Sequence, residues 1–215
     1  MIYLYYTNLA NIPWNNLEKK IGIVSDHEKD KIYTYRFEKD RITSLGGKLL
    51  LLEAIQDALN TKVDQLPPIA YNTFGKPYFS DLSFCFNISH ASTFAICVFS
   101  EKEGELGADI EEINSIDINE YRSVLNDSEY SMLKDRDHSA FFRLWTIKEA
   151  IMKAEGKGFH LNPLSIEIET TDAEHTCSLN NKTWFIKTFQ INSNMISIAS
   201  SFKDEIVCKE IKMER

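Results

Sequence analysis

Apolar and polar residues recur at regular spacings along most of the chain, and these spacings predict both strands and helices. Runs of β-branched and aromatic residues are typical of strands. The tripeptide His90-Ala91-Ser92 is expected to join two of the predicted strands as a tight turn. The region beyond residue 160 also contains several strand-like runs. Strands with clear bounds are predicted at 2–7, 84–89, 93–99 and 107–113.

Three segments carry apolar residues at helical spacing. Leucines and alanines predict a helix at 43–59, although glycine is unfavourable inside a helix by about 1 kcal/mol relative to alanine. Close approach of another backbone or a ligand would explain Gly46 and Gly47, and a frayed first turn would explain them equally well. A second helix is predicted at 117–134, with a break near Asn126, and a third at 141–154.

Each half of the chain therefore combines a long helix with several strands, which predicts an α+β fold. We expect two similar halves in a pseudo-twofold arrangement, divided near the turn at 101–106. The N-terminal half is expected to span 1–103 and the C-terminal half 104–215.

Composition narrows the class of protein. The 215 residues are 43% hydrophobic, enough for one sizeable core or two small ones. The net charge of −8 argues against a nucleic-acid-binding protein, which needs a basic face. No run approaches the roughly 20 apolar residues of a membrane span, and the N-terminus has no signal-peptide pattern. Four cysteines without metal-ligand or redox spacing suit a reducing compartment, so we expect a cytoplasmic protein.

Charged residues interrupt the helix at 141–154. On a helical wheel Lys148 falls within the apolar arc, where an unpaired ammonium would be costly, so an anionic partner is expected. Glu149 and Lys153 form an i,i+4 pair at the border of that arc. Such a pair is either a surface pair or part of a site.

The predicted strand at 107–113 carries two carboxylates on one face. Asp109 and Glu111 are two residues apart, so their side chains point the same way and repel each other unless a cation lies between them. They are either solvated or ligands of a hard divalent ion. If Glu149 faces this strand, the three acids suit Mg²⁺, and nearby lysines suggest a phosphorylated substrate.

A basic stretch near the N-terminal third is either a solvated helix face or a local anion-binding pocket. It contains five cations within thirteen positions, namely Lys29, Lys31, Arg36, Lys39 and Arg41.

Taken together, four motifs resemble those of the 4′-phosphopantetheinyl transferases of the Sfp-type subfamily. The longest match is W-x-x-K-E-A-x-x-K-x-x-G-K-G at 145–158, and G-x-D-I-E precedes it at 107–111. The other two motifs are GKP at 75–77 and FNISH at 86–90. The resemblance implies an enzyme that transfers the phosphopantetheine arm of coenzyme A to a serine of an acyl or peptidyl carrier protein. It implies release of adenosine 3′,5′-bisphosphate, Mg²⁺ (with Mn²⁺ as an alternative ion) and a monomer of two α+β halves.

The resemblance also implies roles for individual residues. Asp109, Glu111 and Glu149 would hold the metal, with Glu149 and Lys153 as the catalytic residues. Lys148 would join Lys153 and Asp109 at the coenzyme A phosphates. The remaining positions expected to bind coenzyme A are Lys29, Lys31, Arg41, Gly75, Lys76, Pro77, Ser89 and His90.

Two other functions use the same residues. A Mg²⁺-dependent phosphodiesterase could use the three carboxylates, but no histidine lies near them in sequence to assist it. A non-catalytic coenzyme A-binding protein would not need Glu149 and Lys153 beside Asp109 and Glu111.

Overall fold

Helices and strands cover most of the chain in a computed structural model, which describes residues 1–170 and 175–213. The α-helices are α1 (Trp14–Glu18), α2 (Asp26–Thr34), α3 (Glu38–Leu59), α4 (Asp127–Leu133) and α5 (His138–Glu155). The strands are β1 (Ile2–Asn8), β2 (Ile69–Tyr71), β3 (Pro77–Phe79), β4 (Cys85–Ala91), β5 (Phe94–Ser100), β6 (Leu106–Glu112), β7 (Glu169–Thr170), β8 (His175–Leu179), β9 (Lys182–Ile191), β10 (Asn194–Ser200) and β11 (Ile206–Glu210). Short 3₁₀ turns lie at Ile21–Ile23, Ile118–Tyr121, Gly158–His160 and Pro163–Ser165.

The first structural unit is built around a four-stranded sheet in the order β11-β1-β5-β4. Strand β1 pairs antiparallel with β5 and parallel with β11, and β5 pairs antiparallel with β4. Helix α3 packs on this sheet and contributes buried leucines, including Leu50 and Leu51. Every residue of β5 is buried, as expected for an interior strand under a helix.

The two glycines of α3 lie where neighbouring side chains approach the helix. A Cβ built at Gly46 would lie 2.5 Å from Cδ1 of Leu9, and one at Gly47 would lie 2.5 Å from Cγ2 of Ile88. Both glycines lie well inside α3, which begins at Glu38. The glycines therefore make room for core side chains, and neither a frayed first turn nor a ligand is needed to explain them.

The second structural unit contains a five-stranded antiparallel sheet in the order β6-β10-β9-β8-β7. Helix α5 packs on the edge strand β6 and on β10. The core beneath it includes Ile151, Trp184 and Ala199, all essentially inaccessible to solvent. Each unit thus has a long helix packed on a β-sheet, which confirms the predicted α+β fold with two sheet-containing halves.

The division between the units differs in part from the predicted ranges. The chain changes unit after Glu103, but the segment from Asp204 onward returns to the first unit. The reason is the parallel pairing of β11 with β1, assisted by an ion pair between the N-terminal ammonium of Met1 and Asp204 (2.8 Å). Residues 73–76 group with the second unit although they connect β2 to β3.

Helix boundaries follow local capping chemistry. The predicted break at Asn126 is confirmed, because Asn126 and Glu129 form a reciprocal capping box at the start of α4. Asp137 caps α5, and Gly156 ends it in the left-handed conformation with φ of 71°. The predicted turn at 90–92 lies too early: β4 continues to Ala91, and the turn residue with positive φ is Ser92.

Two further sequence expectations concern cysteines and membranes. All four cysteines are thiols outside any disulfide; Cys97 is fully buried, whereas Cys85 is half-buried. Within 1–170 and 175–213, no helix has the length and apolar character that crossing a bilayer requires.

Candidate active site

Strand β6 presents its acidic residues on the face that α5 covers. Gly107, Asp109 and Glu111 alternate along the strand and therefore share one face. A Cβ at Gly107 would lie 2.2 Å from the carbonyl oxygen of Ala150 and 2.3 Å from the amide nitrogen of Ala154. The backbone of α5 thus packs directly against the strand, and both carboxylates point toward the helix.

Two residues of α5 interact with these carboxylates. The Lys153 ammonium donates to Oδ1 of Asp109 at 2.6 Å, and Asp109 is only 3% exposed. Burial, followed by the charge of Asp109, raises the pKa of Glu149, while Lys153 opposes the shift. Burial and then the charges of Asp109 and Glu149 raise the pKa of Glu111 to about 7, against smaller opposing effects of Lys153 and of a hydrogen bond from Trp145. The four residues therefore form one electrostatically coupled cluster.

The acid cluster has suitable donor atoms for a divalent cation but is not arranged around one. Asp109, Glu111 and Glu149 offer hard carboxylate oxygens, which Mg²⁺ prefers. Burial, and then repulsion by neighbouring carboxylates, raises the pKa of Glu111 and Glu149, and a cation would relieve that repulsion. Among the residues that the structure describes, however, no group of three or more His, Cys, Asp or Glu side chains is arranged to hold a metal ion. Lys153 supplies the positive charge at Asp109 instead.

Lys148 has a different position from the one that the sequence predicted. Its side chain is completely buried, and its ammonium donates to Oε2 of Glu129 (2.7 Å) and to the carbonyl oxygens of Val124 and Pro163 (both 3.0 Å). Burial lowers the pKa of Lys148, and the hydrogen bond and charge of Glu129 oppose that shift. The expected anionic partner exists, but it is a carboxylate of α4. Lys148 thus contacts a protein carboxylate where the resemblance implied a coenzyme A phosphate.

Trp145 also belongs to the acid cluster, although the helical pattern predicts only an apolar role for it. It donates a hydrogen bond to Glu111, and its ring lies 6.5 Å from that of the exposed Phe159. An indole N–H requires an acceptor when it is partly buried, so a tryptophan one turn before Glu149 was the available signal.

The three predicted cations of the first unit are engaged by neighbouring groups. Lys29 pairs with Asp26 at 2.9 Å. Lys31 pairs with the buried Glu28 at 3.3 Å. These cations are therefore held locally on and near α2 and α3. The Nε of Arg41 donates to the backbone carbonyl oxygen of Tyr35 at 2.9 Å, and the residue is half-buried.

Glu28 organises a wider group of polar contacts around Lys31. Burial alone would raise the pKa of Glu28, but hydrogen bonds from Tyr71 and Lys48 and the charges of Lys48 and Lys31 lower it to about 2. The ammonium of Lys31 also lies 3.6 Å from the centroid of the Tyr71 ring. Glu28 thus remains ionised and fixes the position of Lys31.

The other predicted coenzyme A residues lie on strands or on the loop before β3. Ser89 is buried and His90 is exposed near the end of β4, and Pro77 begins β3; all three belong to the first unit. Gly75 has φ of 86°, a conformation that favours glycine. Lys76 donates to the carbonyl oxygen of Ala154 at 2.6 Å, which ties its loop to the end of α5 within the second unit.

A cavity of about 960 Å³ beside α4 and the start of α5 contains none of these predicted residues. Its lining includes Ser128, Met132, Arg143, Leu144 and His175. The acid cluster is therefore not identified by this cavity. It is identified by the electrostatic interactions among its carboxylates and Lys153.

Comparisons with known proteins agree on one family. A family model described as the 4′-phosphopantetheinyl transferase superfamily matches residues 105–202. A second model, described as the N-terminal part of 4′-phosphopantetheinyl transferases, matches residues 13–102. The two matches together cover most of both structural units.

Curated relatives carry the same description. The chain is 33% identical over 163 residues to the 4′-phosphopantetheinyl transferase gsp of Aneurinibacillus migulanus, covering 74% of this chain and 67% of that protein. It is 29% identical over 193 residues to the 4′-phosphopantetheinyl transferase Sfp of Bacillus subtilis, covering 81% and 80%. An L-aminoadipate-semialdehyde dehydrogenase-phosphopantetheinyl transferase of Schizosaccharomyces pombe is 30% identical over 165 residues, covering 67% and 64%.

Proposed function

The chain belongs to the 4′-phosphopantetheinyl transferase superfamily, and from this premise we propose how its acid cluster acts. The enzyme transfers phosphopantetheine to a carrier protein. The donor is coenzyme A, the acceptor is a serine of an acyl or peptidyl carrier protein, and the protein acts as a monomer.

One observation supports the chemistry above all others. Asp109 and Glu111 of β6 and Glu149 and Lys153 of α5 interact as one cluster, with Lys153 bound to Asp109 at 2.6 Å. Transfer of a phosphoryl group requires positioning and compensation of negative charge more than covalent participation by the protein. A cluster that combines carboxylates with a partly exposed ammonium is suited to that task.

Glu149 acts as the general base toward the carrier serine. The pKa of Glu149 is raised toward neutral pH. A higher pKa favours a base that must take up a proton during the reaction. The serine oxygen forms a bond to the β-phosphorus of coenzyme A as the bond to the departing phosphate oxygen breaks. The proton passes from serine to Glu149, and adenosine 3′,5′-bisphosphate leaves with the bonding electron pair.

Lys153 compensates charge on the phosphates. It is held at Asp109 by a hydrogen bond, and its side chain remains 29% exposed, so a polyanionic substrate can draw its ammonium away. A charge-assisted bond to phosphate would replace the one to carboxylate. Lys148 has no part in this exchange, because its three donors are already used in a buried site.

Asp109, Glu111 and Glu149 would hold Mg²⁺, with Mn²⁺ as an alternative. When bound, the ion would neutralise the diphosphate and polarise the bond that is broken. The donor types and their repulsion support this assignment, whereas their present arrangement requires rearrangement of side chains, including that of Lys153. Calorimetry of coenzyme A binding with and without Mg²⁺ tests the assignment without turnover: wild type should bind more tightly with the ion, and Asp109→Asn should not.

The nucleotide end of coenzyme A is bound by the remaining predicted residues. Lys29, Lys31 and Arg41 supply positive charge for the 3′-phosphate, together with Ser89 and His90. Their local partners, such as Glu28 for Lys31, hold these cations in place before the ligand arrives. The backbone and side chains of Gly75, Lys76 and Pro77 contact the adenine and ribose.

The decisive experiment is mass spectrometry of apo carrier proteins incubated with the enzyme, coenzyme A and Mg²⁺. We expect each accepted carrier to gain the mass of one phosphopantetheine group, and a carrier with its acceptor serine replaced by alanine to gain nothing. EDTA should abolish the gain. No gain with fatty-acid, polyketide and peptide-synthetase carriers would overturn the proposal.

The same experiment separates the two alternatives. A phosphodiesterase would release adenosine 3′,5′-bisphosphate from coenzyme A without modifying any carrier. A non-catalytic coenzyme A-binding protein would bind the ligand and release nothing.

A further inference from the structure

Lys148 precedes the proposed base by one residue, yet its ammonium is fully buried among protein oxygens. We propose that Lys148 is a positioning residue for transfer: it fixes α5 so that Glu149 meets the acids of β6. This inference rests on the proposed function, because the activity it supports is the transfer reaction at that cluster.

The ammonium of Lys148 has a complete set of partners. A lysine has three N–H donors, and the structure gives three acceptors: Glu129 at 2.7 Å, and the carbonyl oxygens of Val124 and Pro163 at 3.0 Å. Methionine would remove all three of these hydrogen bonds. Arginine would bring five donors and a larger planar group into a site with no exposed surface. Neither substitute reproduces the site.

The three acceptors belong to two segments that flank α5 in sequence. Val124 lies just before α4, Glu129 lies in its first turn, and Pro163 begins the short helical turn Pro163–Ser165. Oε2 of Glu129 also accepts from the backbone amide of Asn126 at 2.9 Å, so the carboxylate that binds Lys148 also closes the capping box of α4. One ammonium therefore links the segments before and after α5 to its middle.

The hydrogen bonds of Lys148 act together with a close contact on the opposite side of α5. The backbone of the helix packs against Gly107 of β6, where even a methyl group would overlap Ala150 and Ala154. Glu149 and Lys153 project toward Asp109 and Glu111 from the same helix. Contact with β6 fixes the distance of α5 from the strand, and Lys148 fixes it against rotation and sliding. A displacement of about 1 Å in such a site can cost roughly 10²-fold in rate.

Four variants test this role. Lys148→Met removes the ammonium, and Glu129→Gln keeps the capping-box acceptor but removes the charge. The pair Lys148→Met/Glu129→Gln removes both charges, so that no buried charge remains unpaired. Lys182→Met is the matched control, because Lys182 forms an exposed ion pair with Glu105 in the same unit. For each we would measure transfer kinetics, the melting temperature and the Kd of adenosine 3′,5′-bisphosphate in EDTA.

We expect Lys148→Met to lower kcat by about 10²-fold while the KM for coenzyme A and the Kd of the bisphosphate change by less than about threefold. The single variant should also melt at a lower temperature. The double variant should regain much of the lost melting temperature but keep a low kcat, because neither methionine nor glutamine restores the three bonds. Lys182→Met should match wild type in all three measurements.

Three results would overturn the proposal. If kcat recovers together with the melting temperature in the double variant, Lys148 is only structural. If Lys148→Met weakens binding of the bisphosphate and Glu129→Gln leaves kcat unchanged, Lys148 contacts phosphate as the sequence motif suggests. If the wild type is active and the Lys148→Met variant is equally active, Lys148 has no role in transfer. A wild-type protein that modifies no carrier would instead overturn the proposed function, and the positioning role with it.

Discussion

The two structural units use the same layered design for different ends. In the first unit, α3 covers β5 with aliphatic side chains, and every residue of that strand is buried. In the second unit, α5 covers β6, and carboxylates and a lysine lie in the layer between them. Burying carboxylates that repel one another costs free energy, so this layer of the second unit stabilises the fold less than the aliphatic layer of the first. The two strands also differ in position: β5 is an interior strand, whereas β6 is at the edge of its sheet.

The largest expected difference concerns one carboxylate on each helix. Glu149→Gln should lower transfer by about 10³-fold or more, because the amide cannot accept the serine proton. Its free energy of unfolding should change by less than about 1 kcal/mol, since the substitution also removes a repulsive charge near Asp109. Transfer assays and urea unfolding check both parts.

The matched control in the first unit is Glu53→Gln, in the middle of α3. It should leave transfer within about twofold of wild type, because Glu53 belongs neither to the acid cluster nor to the residues proposed to bind coenzyme A. Equal losses of transfer in the two variants would contradict the division of labour between the helices.

The next largest effect concerns the contact between α5 and β6. Gly107→Ala should cost about 3 kcal/mol of stability, because the added methyl meets the backbone of Ala150 and Ala154 at 2.2–2.3 Å and the whole helix must shift. Transfer should fall as well, since Glu149 and Lys153 move with the helix. Urea unfolding and kinetics on the same preparation check the coupling, and a variant that is destabilised but fully active would contradict it.

Much of this difference between the units could be read from the sequence, and the exceptions share a cause. The helices at 43–59 and 141–154 were predicted from periodicity and appear as α3 and α5 with longer N-terminal ends. Asp109 and Glu111 were placed on one face of a strand, as observed. Alternation and helical spacing are local, so sequence alone suffices for them.

Long-range partners could not be predicted in this way. The wheel placed Lys148 in the apolar arc but could not say whether a substrate phosphate or Glu129 would face it. The parallel pairing of β11 with β1 brings together strands from the two ends of the chain, and no local sequence pattern predicts this pairing. Gly46 and Gly47 were noticed as unusual, but Leu9 and Ile88, which explain them, are distant in sequence.

A smaller effect is the pH dependence of stability that the buried carboxylate Glu28 gives the first unit. Its pKa is lowered, whereas the pKa of Glu111 in the second unit is raised. Glu28 has a pKa of about 2 in the folded protein, below its ordinary value of 4.5, because its hydrogen bonds and lysine partners outweigh burial. A group with a depressed folded-state pKa stabilises the fold above its unfolded-state pKa, and this stabilisation is lost as pH falls through the folded value.

Glu28→Gln should therefore cost about 2–3 kcal/mol at neutral pH, and the difference from wild type should narrow between about pH 4.5 and 2. Urea unfolding of both proteins across this range is the measurement. A difference that stays constant with pH would mean that Glu28 stabilises the first unit by packing and not by its charge.

The smallest effect lies within α3 itself and tests whether the first unit is as tightly fitted as α5 on β6. Gly46→Ala brings its methyl 2.5 Å from Cδ1 of Leu9, the end of a side chain that can rotate away. The gain in helix propensity is about 1 kcal/mol, so we expect a net change within about 1 kcal/mol of zero. Gly47→Ala meets Cγ2 of Ile88, a β-branched residue with a restricted χ1 angle, and should cost about 1–2 kcal/mol more. Urea unfolding separates the two, and a Gly46→Ala variant as unstable as Gly107→Ala would show that the first unit is no more tolerant than the second.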